Sequence, residues 1–570
     1  MRRGDLRGKA EGAPPGGISA VFPVRTLAFS NGAAPPRLAA AARRAQLAPR
    51  LKGESKPVNG AQSLVHTLLK SGVDTCFANP GTSEMHFVAA LDTIPGMRCV
   101  LGLQENVVTG MADGYFRLAG KPACTLLHCG PGLSNGLGNL HNARRARSGI
   151  VNIVGDQATY HRPFDAQLTA DTEGWARPVS AWVRTTTKSA DVGRDAAVAV
   201  QEARTAPGGI ATLILPSDAS WDEGGLVAEA LPVPAAVAPD PATIGKVAKL
   251  LREKRNVLIL LGGPALCAEN QALAWRIAQA SGAKLLAEGS NARIARGRGR
   301  PQLDRVPYVG EVARKALASL EHIVLVNAKP PVSFFAYPGK PSFHNREDAV
   351  FHVLTRLEGD AGAALAALAD EMGAPEAAIP DPGPRPEAPR GAPSPEGVAN
   401  VVAALMPENA IISDESVSYG RGFFPLTHVA PPHDWLQLTG GAIGDGMPVA
   451  TGAAIGSGGQ RRTISLQADG SAMYSLQSLW TQAREKLPVT TIILSNRKYQ
   501  ILIGEYAGVG ANPGPTAMNM LDLGNPDLNW VKIAEGMGVE AAQATTLETL
   551  ADLLAQSMSR PGPFLIELVI

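Results

Sequence analysis

The amino-acid sequence predicts an α/β protein of three consecutive α/β domains with parallel sheets. Short apolar runs alternate with segments of helical period, and two proline-rich stretches, 231–241 and 379–395, cut that alternation into three blocks. In the first block, residues 57–225, the pattern gives strand 75–79, helix 83–91, strand 98–103, helix 105–118, strand 123–128, helix 133–147 and strand 149–154. Strands that alternate with helices require crossover connections, so the sheet is parallel and covered on both faces. The middle block, 242–375, repeats the pattern with strands 256–261, 284–287 and 322–327. A proline-rich linker, 376–395, leads to the third block, 396–570, which ends in a strand at 564–570.

Composition narrows the function classes. The chain has 570 residues, 45% of them hydrophobic, and a formal net charge of +2, a balance without the basic excess of a nucleic-acid binder. Its apolar runs are too short to span a bilayer, so no membrane partner is expected. Cys76, Cys99, Cys124, Cys129 and Cys267 form no Cys-x-x-Cys pair, which points to a reducing compartment and no structural zinc. Residues 1–56 are rich in Arg, Ala, Pro and Gly and lack an apolar period; they read as a disordered extension, a targeting segment or an upstream start. A cytoplasmic location is the expectation, with organellar targeting by this segment the alternative.

The chemistry concentrates in the third block. Of three Asp-Gly pairs, only Asp469-Gly470 has an asparagine, Asn496, 27 positions on; Asp113 and Asp445 meet Leu140 and Ala472 instead. The pair follows the run 463–467, a helix is expected over 471–487, and 489–495 reads as the next strand. In such a unit both polar residues lie at the carboxyl ends of neighbouring parallel strands, where open α/β sheets bind ligands. An Asp oxygen, an Asn oxygen and two diphosphate oxygens can share one Mg²⁺, and the helix N-terminus at Ser471 favours phosphate. A surface Asp-Gly turn with an unrelated Asn is the plainer reading of the same residues.

This constellation resembles the signature of the thiamine-diphosphate enzymes that include acetolactate synthase and benzoylformate decarboxylase, with Ala468 in place of the first Gly and Arg497 in place of the second Asn. The stretch 468–480 is particularly similar to benzoylformate decarboxylase. The resemblance covers nearly everything after residue 57 and implies pyrimidine-binding, central and diphosphate-binding domains in that order. It implies Asp469, Asn496 and the carbonyl of Lys498 as Mg²⁺ ligands, and Ser416, Ser418, Gly470, Ser471 and Tyr474 as phosphate ligands. Gly441 and Ile443, in Gly440-Gly-Ala-Ile-Gly444, would supply the carbonyl and the apolar wedge that bend the cofactor, although a glycine-rich turn also serves ordinary packing.

Glu105 occupies the position of the family's catalytic glutamate, which tautomerises the aminopyrimidine; a Glu in a first helical turn also complements the helix dipole. Asn79-Pro-Gly-Thr-Ser-Glu84 is similar to the loop of benzoylformate decarboxylase in which a Ser contacts the substrate carboxylate, a role that falls here on Thr82. His128 matches an active-site His of that enzyme and would protonate the enamine left after CO₂ loss; a His ending a strand is otherwise a hydrogen-bonded core residue. No counterpart of that enzyme's second His stands in 329–338.

The resemblance therefore implies a 2-oxo acid decarboxylase and carboligase of acetolactate synthase large-subunit type, working as a homodimer or homotetramer with its active site between subunits. The alternatives are a benzoylformate-type decarboxylase that releases aldehyde and a non-catalytic cofactor-binding subunit. FAD, usual in acetolactate synthases, has no supporting motif: Gly262-Gly-Pro264 follows a strand but lacks the dinucleotide fingerprint. Arg293, Arg296, Arg298 and Arg300 are expected to face solvent, a phosphate-facing patch being the alternative.

Overall fold

A computed structural model describes residues 58–570. The N-terminal segment, whose reading as an extension or targeting sequence is given above, lies outside the described residues. Among them, three large sheets follow one another along the chain, beside a small antiparallel pair of Val58–Asn59 with Glu223–Gly225. The first is six-stranded and wholly parallel: β1 (Thr75–Ala78), β2 (Arg98–Leu101), β3 (Ala123–Leu127), β4 (Ile150–Asp156), β5 (Trp182–Thr185) and β6 (Ile210–Pro216), in the order β2-β1-β3-β4-β6-β5. The second comprises β7 (Val257–Leu261) and β8 (Lys284–Ala287) with β10 (His322–Val326) and β11 (Val350–Thr355), ordered β8-β7-β10-β11.

The third sheet has seven strands, β12 (Ile411–Glu415), β13 (His433–Gln437), β14 (Thr463–Ala468), β15 (Val489–Ser495), β16 (Glu540–Ala544), β17 (Phe564–Val569) and one from the middle block, β9 (Ile294–Arg296). Their order is β9-β13-β12-β14-β15-β17-β16, and only the β9 pairing is antiparallel. Central strands such as β4 and β15 are buried along their whole length, as a sheet covered on both faces demands.

Each sheet has a point where the strand order reverses, between β1 and β3, between β7 and β10, and between β12 and β14. Crevices at the carboxyl ends of the strands open at these points. The first and third sheets meet through two helices, α1 (Glu105–Ala119) and α3 (Gly446–Gly456), while α2 (Cys129–Ala146) flanks them. A Cβ on Gly114 would collide with the Val449 carbonyl, and one on Gly452 with that of Met111, so glycine on both helices lets the backbones touch.

Two expectations need correction. The single helix expected over 471–487 is broken: α4 (Asp469–Ala472) stops after one turn, and helix resumes at Ser478–Arg484. The intervening N–H groups bond three residues back, Tyr474 to Ser471 and Ser475 to Ala472, and Tyr474 packs against Gly444. The arginine cluster does not simply face solvent. Arg296 is 3% exposed and stacks on Phe424, Arg293 pairs with Asp434, and Arg300 donates to the His433 carbonyl; Arg298, partly exposed, pairs with Asp381.

Candidate active site

At the reversal point of the third sheet, β14 runs straight into Asp469, which is 2% exposed. One carboxylate oxygen accepts from the Gly470 N–H at 2.8 Å, and the other from the Arg497 N–H at 2.6 Å. The second bond crosses from the end of β14 to the end of β15, where Arg497 adopts a left-handed conformation at φ 57°. Asn496 therefore stands immediately beside the Asp469 carboxylate on the neighbouring strand. Its amide oxygen accepts from the Lys498 N–H at 3.1 Å, while the Arg497 side chain turns away to Asp527 at 2.9 Å. Burial raises the Asp469 carboxyl above its usual range, opposed by these backbone N–H groups. No cationic side chain pairs with it among the described residues, so the site offers a buried anion and hard oxygen donors, which fit a small divalent cation.

The other residues expected here gather around it. Gly470 has no room for a side chain, since a Cβ would lie 2.5 Å from the Tyr499 ring. Ser471 is buried and Tyr474 is 53% exposed. Across the crevice, Ser416 follows β12 and its hydroxyl bonds Asp414; Ser418 is partly buried. Gly441 has φ 83°, and a Cβ there would sit 2.6 Å from the Phe334 ring, so glycine is required twice over; Ile443 is partly buried. The turn is anchored to α2, whose Asn142 side chain donates to the Ala442 carbonyl at 2.7 Å and Asn139 to that of Gly444 at 3.2 Å.

The remaining three lie at the reversal point of the first sheet. Glu105 opens α1, is 8% exposed and accepts from the Asn135 amide at 3.2 Å. Thr82 and His128 line a cavity of about 340 Å³ together with Tyr160, His161, Leu168 and Trp221. A Cβ on Gly132 would lie 3.3 Å from both a Glu105 carboxylate oxygen and the His128 Cβ, which makes those two residues neighbours.

Comparison with known proteins gives the family. Residues 58–175 match the family described as thiamine pyrophosphate enzyme, N-terminal TPP binding domain, and residues 419–568 its C-terminal TPP binding domain. The Mycobacterium tuberculosis protein IlvX, named for the acetolactate synthase large subunit, is 50% identical over 515 residues, 90% of this chain and 99% of its own. The chain belongs to the thiamine pyrophosphate enzyme family. Benzoylformate decarboxylase of Pseudomonas aeruginosa is 30% identical over 525 residues, covering 88% of this chain and 96% of that protein. A thiamine diphosphate-dependent 4-hydroxybenzoylformate decarboxylase of Rhodococcus jostii RHA1 superposes with a TM-score of 0.78 at 26% identity, over 90% and 98% of the two chains.

This thiamine pyrophosphate enzyme also holds buried charges that sequence reasoning passed over. Glu415, at the end of β12, is buried, and its two oxygens accept from the Gly444 and Gly446 N–H groups at 2.7 Å each. Burial pushes its carboxyl up to about 7. The two Asp-Gly pairs without a partnering Asn prove to be structural: Asp113 and Asp445 flank the guanidinium of Arg117, at 2.5 and 3.8 Å, inside the seam between the first and third sheets. Arg117 also donates to the Gln437 carbonyl at 2.8 Å. Burial drives the Asp445 carboxyl well above its usual range, with Asp113 and Glu415 adding repulsion and Arg117 opposing. Finally, Glu84 meets His128, with 2.9 Å between a carboxylate oxygen and Nδ1. Its only signal in the sequence was its place at the end of the Asn79-to-Glu84 loop.

Proposed function

We propose that this chain is a thiamine-diphosphate- and Mg²⁺-dependent 2-oxo acid decarboxylase that releases an aldehyde. The observation that carries the reading is the buried Asp469 carboxylate, bridging the ends of β14 and β15 beside Asn496 with no cationic side chain to balance it among the described residues. Asp469, Asn496 and the Lys498 carbonyl hold the metal. Ser416, Ser418, Gly470, Ser471 and Tyr474 would hold the diphosphate, and the Gly441 carbonyl and Ile443 would hold the rest of the cofactor. When bound, thiamine diphosphate supplies a carbon nucleophile and an electron sink for the carbon that loses CO₂.

Around that group the chain's own residues divide the work. Glu105 keeps a buried carboxyl at the cofactor ring. Thr82 binds the substrate carboxylate, and His128 returns a proton to the carbon that lost CO₂. His128 lies in the cavity with Thr82, and that favours protonation and aldehyde release. The residues at the two sheets come together as one site between subunits of a homodimer or homotetramer. A second reading, carboligation of acetolactate synthase type, draws on the 50% identity to IlvX.

Purified protein with thiamine diphosphate and Mg²⁺, incubated with pyruvate, benzoylformate and branched 2-oxo acids, separates these readings. Free aldehyde from any of them supports the proposal; acetolactate from pyruvate transfers it to the carboligase. Cofactor binding without CO₂ release would leave a non-catalytic subunit. Among the described residues no helix is long and apolar enough to cross a membrane.

A further inference from the structure

We infer that Glu84 is the positioning residue for His128, holding Nδ1 so that Nε2 is the nitrogen presented to the substrate cavity. The inference rests on the reading of His128 as the proton donor. Glu84 stands on the turn after β1, and His128 on the residue after β3, so the two side chains face each other across the reversal point of the first sheet. Glu84 is 3% exposed. One of its oxygens accepts from the Gly81 N–H at 2.8 Å and lies 2.9 Å from His128 Nδ1; the other accepts from the Ser83 hydroxyl and lies 3.2 Å from the same nitrogen.

Among the described residues no lysine or arginine pairs with Glu84, and His128 is the one group able to share its charge. A carboxylate that accepts at Nδ1 keeps the proton on that nitrogen, so a second proton taken up by the ring sits on Nε2, faces the cavity and is the one donated, returning the ring to its neutral Nδ1–H form. Nε2 has no hydrogen-bond partner among the described residues, and the ring is 22% exposed toward the cavity.

Two glycines show that this contact is built into the fold. Gly155 lies inside β4, a buried parallel strand where glycine is unfavourable, yet a Cβ there would collide with the Glu84 carboxylate. A Cβ on Gly81 would collide with the imidazole itself. Other ionisable groups stand close to the pair, Cys129 nearest among them. Burial pushes the Cys129 thiol up to about 11, so it stays protonated, 3.1 Å from the Ser83 hydroxyl. Asp156, at the end of β4, is paired with Arg162; Glu105 lies beyond Gly132, and His161 lines the same cavity.

Glu84→Ala and Glu84→Gln test this. The alanine variant should lose about 10²-fold in kcat for aldehyde release with KM little changed, and Gln, which keeps an acceptor at Nδ1, should recover part of the loss. A second readout needs no turnover: ¹⁵N-histidine NMR of the cofactor-free protein at alkaline pH should show His128 protonated at Nδ1 in the wild type and shifted toward Nε2 in Glu84→Ala. An unchanged kcat, a loss confined to KM, or an unchanged tautomer would overturn the inference. Should alanine prevent folding, Gly155→Ala, which displaces Glu84 but retains every ionisable group, must give the same kcat loss and tautomer change. If no protein releases CO₂ or binds thiamine diphosphate, the cofactor reading fails, while the NMR result still decides whether Glu84 sets the tautomer.

Discussion

At the carboxyl edge of the third sheet Asp469 is buried against backbone N–H groups alone, whereas at the carboxyl edge of the first sheet Glu84 is buried against an imidazole. Both sit where strand order reverses, on sheets of similar build. The difference separates holding from reacting. A carboxylate solvated by fixed neutral dipoles keeps its charge for an incoming cation, and a carboxylate shared with histidine sets the direction in which a proton leaves. Substitutions on one edge should therefore change binding, and those on the other edge rate.

The sharpest break of that comparison is Asp469→Ala. It should abolish cofactor retention in Mg²⁺ and lower CO₂ release by roughly 10⁴-fold, the scale of losing a metal's charge stabilisation, as measured by equilibrium dialysis and product assay. Glu105→Gln, on the other edge, should retain thiamine diphosphate with near-native affinity while kcat drops about 10³-fold. Equal losses of binding in both variants would erase the distinction.

Smaller effects probe the seam between the edges. Arg117→Met leaves Asp113 and Asp445 buried without their cation and should cost about 3 kcal/mol in urea unfolding. Glu415 gives a pH signature. Its folded-state value of about 7 stands above the ordinary 4.5, so between those values the folded chain holds a proton that the unfolded chain has released. Wild-type stability relative to Glu415→Gln should thus be greatest below about pH 4.5, fall by about 3 kcal/mol toward pH 7, and stay level above it. Denaturation midpoints across that range check the sign.

The parts written locally in the sequence were legible, and the parts made by tertiary contact were not. Alternating strand and helix periods placed the strands they named to within a residue or two but passed over others, such as β5, β6, β11 and β13, and the 27-residue spacing marks Asp469 and Asn496 because one strand-helix-strand unit fixes it. The break after α4 escaped notice because the apolar stripe from Leu476 to Leu487 fits an unbroken helix, and the packing of Tyr474 against Gly444, distant in sequence, leaves no mark in that stripe. Arg296 looked like a surface charge until Phe424 supplied a face for its guanidinium. Asp113 and Asp445 failed the metal spacing, yet no spacing rule shows that they share Arg117. Glu84 and His128 are 44 residues apart, each unremarkable until β1 and β3 lie side by side.

The most direct measurement substitutes Mn²⁺ for Mg²⁺ and counts bound ions by electron paramagnetic resonance, with and without thiamine diphosphate. One tightly held Mn²⁺ per chain, present only with the cofactor and lost in Asp469→Ala and Asn496→Ala, is the result that a clamp between β14 and β15 predicts. Mn²⁺ bound equally in those variants, or no ion held when thiamine diphosphate is bound, would contradict it.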